Sequence, residues 1–141
     1  MLFISKTFEQ LTYRGQVRRL RKMALLALAK YPIRVKSVVF INHGENTTFK
    51  VLDRRGRSFL LRIHRPDYHT IAAIREELSW LARLSSDRAV AVPKPVLSKN
   101  KRPVESVTAP GVPTPRFCCV FNWVDGRFLE KGIRDKHLFQ L

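Results

Sequence analysis

Three β-rich segments lie so close together along residues 35–64 that only short turns fit between them, and this spacing constrains the fold more than any other feature. Residues 35–41 and 47–52 are rich in β-formers and flank the polar loop Asn42-His43-Gly44-Glu45-Asn46. Asp53-Arg54-Arg55-Gly56 carries turn chemistry, with Gly56 able to take a positive φ, and leads into a third strand over 57–64. Together the three predict an antiparallel meander. Alternation along the third strand puts Phe59, Leu61 and Ile63 on one face and Leu60, Arg62 and His64 on the other.

Helical spacing appears on both sides of the meander. Val17, Leu20, Ala24, Ala27, Leu28 and Tyr31 mark an amphipathic helix over 16–31, whose basic face is Arg18, Arg19, Arg21 and Lys22 and which Pro32 terminates. A second helix is predicted over 70–84, with Ile71, Ile74, Leu78 and Leu81 along one side. At 3.6 residues per turn Glu77 falls at the edge of that apolar arc, while Glu76 projects to the opposite side and is the spare carboxylate. Pro93-Lys94-Pro95 predicts a rigid extended connection into Val96-Leu97, and a short strand follows around 104–107. Three prolines and a glycine make 108–115 a loop, and 116–122 is the last strand. Asp125-Gly126 turns the chain into a helical-looking segment at 136–141. The order is that of an α+β fold: a five-stranded antiparallel sheet, one helix packed across it and an extra amino-terminal helix. Residues 1–34 form the helical segment, 35–121 the sheet-bearing body and 122–141 a linker with the start of another helix.

At 141 residues the chain is the size of one domain with one core, and its 45% hydrophobic content is that of a folded protein. Lys and Arg outnumber Asp and Glu by 27 to 11, a net charge of +16 that favours anionic partners without choosing among nucleotides, nucleic acid and acidic lipid. Cys118 and Cys119 are neighbours on a strand and point to opposite faces, so neither a disulfide nor a chelate is expected, which fits a reducing compartment. His43, His64, His69 and His137 lack metal-ligand spacing. No apolar run reaches the ~20 residues needed to span a bilayer, and the first residues do not have the order of a signal peptide. The expectation is a soluble, cytoplasmic protein with no membrane partner.

Gly44-Glu45-Asn46-Thr47-Thr48-Phe49-Lys50-Val51, Leu61-Arg62-Ile63-His64-Arg65-Pro66, Glu77-Leu78-Ser79-Trp80-Leu81, Val92-Pro93-Lys94-Pro95 and Trp123-Val124-Asp125-Gly126 occur in an order that resembles the amino-terminal lobe of the aminoglycoside phosphotransferase and choline or homoserine kinase-like family. The resemblance covers nearly the whole chain. It implies a protein-kinase-like amino-terminal lobe whose sheet covers ATP. The phosphates would sit under the loop 43–47, with Gly44 and Asn46 beside them, although an ordinary hairpin loop has the same composition. Arg62 would be the cation that pairs with the phosphates and with Glu77; many relatives use lysine there, and the planar guanidinium is not equivalent to it. From the residues alone, Arg62 reads first as a strand arginine lying on the surface. The segment 121–124 would be the hinge, reading adenine through the Asn122 carbonyl and the Val124 N–H. Trp123 is left open among hinge, core and lobe contact.

Phosphoryl transfer also needs an aspartate at the acceptor hydroxyl and residues that hold Mg²⁺, which in this family lie in the carboxy-terminal lobe. His64-Arg65-Pro66 is no substitute, because it precedes the helix and lacks the aspartate. The expectation is therefore an ATP-binding lobe, truncated before the catalytic lobe and inactive alone. A separately encoded carboxy-terminal lobe is a candidate partner, and Mg²⁺ is expected only with that lobe. Two other readings stand beside it: a basic nucleic-acid-binding module using the 18–22 helix face, and a pseudokinase-like interaction fragment.

Overall fold

The computed structural model describes residues 7–66, 70–85 and 92–124. A 3-10 turn at Phe8–Gln10 precedes α1 (Tyr13–Leu28); β1 (Val35–His43), β2 (Asn46–Asp53) and β3 (Ser58–His64) follow, then α2 (Ile71–Ser85), β4 (Pro95–Val96), β5 (Glu105–Ala109) and β6 (Val112–Asn122). The fold is α+β, with one sheet ordered β1-β2-β3-β6-β4 and β5 also paired to β6, every pairing antiparallel.

Six strands form among the described residues where five were expected. The extended Pro95–Val96 segment pairs with Phe121 and Val120 and so becomes an edge strand. The segment 108–115, expected to be a loop, instead closes a hairpin. Ala109 pairs with Val112 across Pro110-Gly111, and Gly111 supplies the turn at φ +82. Val107 next pairs with Arg116, so Pro113, Thr114 and Pro115 lie in a bulge where the ladder asks for no N–H. Thr114 has φ 60 there, an uncommon conformation for a β-branched residue. Proline was the signal for a loop, and the bulge is how the strand accommodates it.

The amino-terminal helix begins earlier and ends earlier than its periodicity suggested. Thr12 caps it by accepting the Gly15 N–H at 3.1 Å. Beyond Leu28, the N–H groups of Lys30 and Tyr31 donate to Ala27 and Leu28 in a tightened last turn. Tyr31 folds inward from that turn and donates its hydroxyl to the Cys118 carbonyl at 3.4 Å. Leu20, Met23, Ala24, Ala27 and Leu28 are buried with Phe49, Leu61, Ile63 and Val120, so α1 shares one core with the sheet. Leu20, Met23 and Leu28 each contribute about 1.5–3 kcal/mol on burial, enough that α1 docks on the sheet rather than standing free. Its basic face is not wholly solvated: Arg19 donates to the Gly111 carbonyl at 2.8 Å, while Arg18, Arg21 and Lys22 are exposed.

The opposite face packs against α2. Leu60, Cys119 and Phe121 meet Ile74, Leu78 and Leu81 in a second cluster. The alternation read for β3 holds, since Phe59, Leu61 and Ile63 lie in the α1-side core and Leu60 in the α2-side cluster. Cys118 and Cys119 likewise face opposite cores, both as buried free thiols. At the β2–β3 turn the Asp53 carboxylate accepts the N–H groups of Arg55 and Arg57 at 3.0 and 2.8 Å and the Arg57 Nε–H at 2.8 Å, while Gly56 takes φ +83. No helix among the described residues is long and apolar enough to cross a membrane. The expected turn at Asp125-Gly126 and helix at 136–141 lie outside the described residues, as does His69.

Candidate functional site

Register places the candidate residues on one face. Thr48 pairs with Arg62 and Asn46 with His64 across β2–β3, and Arg62 pairs with Cys119 across β3–β6. Side chains alternate along each strand, so Asn46, Thr48, Arg62, His64 and Cys119 all lie on the α2 side. That side also presents Phe121, Leu60 and, half-buried, Ile41 and Trp123.

Arg62 and Glu77 meet there. The Arg62 Nη1 donates to Glu77 Oε1 at 2.9 Å and the Nη2 to Oε2 at 3.0 Å, a bidentate pair whose side chains are 1% and 7% exposed. Glu76, one residue away, is exposed. The Phe121 ring lies beneath the guanidinium at 5.0 Å. Burial works against the charged guanidinium, but the Cys119 sulfur and the Glu77 carboxylate outweigh it and raise its pKa above the ordinary arginine value. The cation is thus permanent and held in one orientation. Cys119 itself approaches the His64 Nε2 at 3.5 Å, and burial pushes its thiol up to about 11, so it is a neutral neighbour at pH 7.

The β1–β2 turn sits at the end of the same face. The Gly44 N–H donates to the Asn46 carbonyl at 3.0 Å, so that donor is used within the hairpin rather than turned outward. A methyl group on Gly44 would meet no atom within 4 Å, and the chain's own packing therefore does not require glycine there. Asn46 is 5% exposed, yet neither its amide nitrogen nor its amide oxygen has a hydrogen-bond partner. A buried primary amide left unpaired costs free energy unless something satisfies it.

At the other end of β3, the Asn122 N–H donates to Lys94 at 2.9 Å and the Trp123 N–H to Ser58 at 3.1 Å, which fixes the end of β6. Trp123 packs half-buried against the α2-side cluster with the Lys50 ammonium 4.5 Å from its ring centre. Val124 is half-buried beside it.

One group of polar residues was not legible in the sequence. His43 bridges the turn and α1, its Nδ1 2.7 Å from Thr47 Oγ1 and its Nε2 3.0 Å from Gln16 Oε1. Its position beside Gly44 was the only signal available. Among the described residues no group of three or more His, Cys, Asp or Glu side chains could hold a metal ion.

The sequence profile of the phosphotransferase enzyme family matches residues 37–139. Among solved structures, the microcompartment-associated aminopropanol kinase is 36% identical with a TM-score of 0.64, the match covering 73% of this chain and 31% of that one. Amicoumacin kinase hAmiN, solved with AMP-PNP, Ca²⁺ and Ami, is 24% identical with a TM-score of 0.58, covering 79% and 34%, and at that identity the likeness is one of fold. The chain therefore spans about a third of the length of either kinase. No curated protein matches it. The sheet and the helix across it are those of a kinase-like amino-terminal lobe, and the chain belongs to the phosphotransferase enzyme family.

Proposed function

We propose that the chain is the ATP-binding lobe of a small-molecule kinase that moves the γ-phosphate of ATP to a hydroxyl acceptor. The observation that carries this reading is the buried, bidentate Arg62–Glu77 pair on the face shared with the β1–β2 turn. A cation held this way cannot swing out to solvent, so its charge is preorganised for an anion. The family's nucleotide fits the residues present. Asn46 offers an unpaired buried amide with both a donor and an acceptor, and Ile41, Leu60, Phe121 and Trp123 offer an apolar surface of the kind an adenine ring requires.

Asn46 and the turn would hold the phosphates, Arg62 would supply fixed positive charge beneath them, and Glu77 would keep that charge oriented. The Asn122 carbonyl and Val124 N–H would read the adenine edge. ATP, when bound, supplies the phosphoryl group. The described residues hold no carboxylate cluster for Mg²⁺, so metal and acceptor are assigned to the part of the fold that the larger kinases have and this chain does not span. The likeness to an aminopropanol kinase makes an amino alcohol the first acceptor to try.

The test compares the chain alone with the chain joined to the matching carboxy-terminal lobe of the aminopropanol kinase. ATP-dependent transfer to an amino alcohol should be absent in the first and present in the second. Turnover by the chain alone would overturn this division of labour, and a folded joined protein that binds no ATP would overturn the lobe assignment.

A further inference from the structure

The turn at 43–46 closes an edge of the sheet, because β1 is the first strand in its order and, among the described residues, has a neighbour on one side only. Just before the turn, between Phe40 and Asn42, the β1–β2 register shifts. A shift of that kind bends the strand and loosens its hold on its neighbour. The bent end is tied down from elsewhere: the His43 ring reaches Thr47 at 2.7 Å on one nitrogen and Gln16, in α1, at 3.0 Å on the other. The Tyr13 ring, one turn earlier on α1, meets the His43 ring edge-on at 5.2 Å and the Phe40 ring at 6.1 Å.

The direction of the relay follows from its far end. The Gln16 Nε2 donates to the Leu11 carbonyl at 3.5 Å, and the opposite amide orientation would set two oxygens facing each other. The Gln16 Oε1 is therefore the atom aimed at His43, and it accepts from the Nε2–H. The neutral ring then leaves Nδ1 as an acceptor for the Thr47 hydroxyl. Leu11, Gln16, His43 and Thr47 form one oriented chain from the start of the protein's first long helix to the first turn of β2.

We propose that α1 positions the β1–β2 turn through this chain, with Gln16 orienting His43 and His43 orienting Thr47, so that the amino-terminal helix sets the conformation of the phosphate-facing turn. The name phosphate-facing rests on the function proposed above; the anchoring does not. Gln16, His43 and Thr47 are positioning residues and touch no reacting atom.

Amide hydrogen exchange on the intact chain decides it. Gln16→Leu keeps helix propensity but removes the acceptor, so the Gly44 amide should exchange about fivefold faster, the factor carried by one hydrogen bond of ordinary net worth, while the Leu20 and Met23 amides keep their rates. Gln16→Glu restores an acceptor and should bring Gly44 back to within about twofold of the parent. An unchanged Gly44 rate in Gln16→Leu, or a Glu variant no better than Leu, would overturn the proposal. Should Gln16→Leu fail to fold, Thr47→Val cuts the same relay at its other end and must give the same acceleration. In the protein joined to a carboxy-terminal lobe, Gln16→Leu should raise KM for ATP more than it lowers kcat. A changed exchange rate with an unchanged KM would tell against the nucleotide reading of the turn and leave the anchoring in place.

Discussion

Arg62 shows what burial does to a side chain that ordinarily lies in water. Its side chain is 1% exposed and that of Glu77 7%, so removing Arg62 strips a buried carboxylate of its cation, and removing Glu77 takes the bidentate carboxylate from a buried guanidinium. Arg62→Met or Glu77→Leu alone should each cost about 3–5 kcal/mol of unfolding free energy, whereas the double variant should cost far less than their sum, because it replaces the pair by apolar groups of similar volume. Denaturant melts of the four proteins in the cycle check this. His43 titrates in the opposite sense to a salt-bridged histidine. Burial, then the Arg116 and Arg65 charges, lowers its pKa below 6.5. The folded state thus disfavours its protonation. Its contribution is complete above about pH 6.5 and is lost as pH falls through the lower folded value. Thermal melts between neutral pH and pH 5 should show a falling midpoint, with a shallower fall in His43→Gln. Burial likewise pushes Cys118 to about 12 and Cys119 to about 11, so neither thiol should react with an alkylating reagent at pH 7 until the chain unfolds. Stoichiometric labelling of the native protein would contradict that.

Among the elements, those with clean periodicity were legible before any coordinates. β3 alternates without interruption, so its two faces and the placement of Arg62 followed from the residue order, and the 3.6-residue winding of α2 separated Glu77 from Glu76. The β5–β6 hairpin was not legible, because Pro113 and Pro115 break the pattern and the sheet hides them in a bulge. α1 overran its observed end at Leu28 because Tyr31 continues the apolar spacing, although it reaches the core from a tightened turn. The His43 relay joins residues 27 apart in sequence and carries no periodic mark. Thr114, at φ 60 in the bulge, is a residue type poorly suited to that conformation. Thr114→Asn should raise stability by up to about 1 kcal/mol, since asparagine tolerates the left-handed region that costs other residues about 1–2 kcal/mol. A lower melting midpoint in that variant would show that the threonine side chain contributes more than its backbone costs.

At the scale of the whole molecule, the two faces of one sheet have separate tasks. The face toward α1 is apolar and builds the larger core. The face toward α2 carries the buried ion pair, the unpaired Asn46 amide and the half-buried Trp123, which is where a polar ligand with one flat apolar part would fit. The positive charge of the chain, +16, adds a long-range attraction for anions of any kind that weakens with salt. The sequence carried the fold family because its motifs are local; it did not carry the acceptor, which the proposed division of labour leaves to the part of the larger kinases that this chain does not span. The most direct measurement of the central claim is ATP-dependent turnover by the Arg62→Met/Glu77→Leu double variant in the protein joined to a carboxy-terminal lobe. If the pair organises phosphate charge, the folded double variant loses turnover on the order of a hundredfold or more. Turnover equal to that of the parent would show that the pair serves the fold alone.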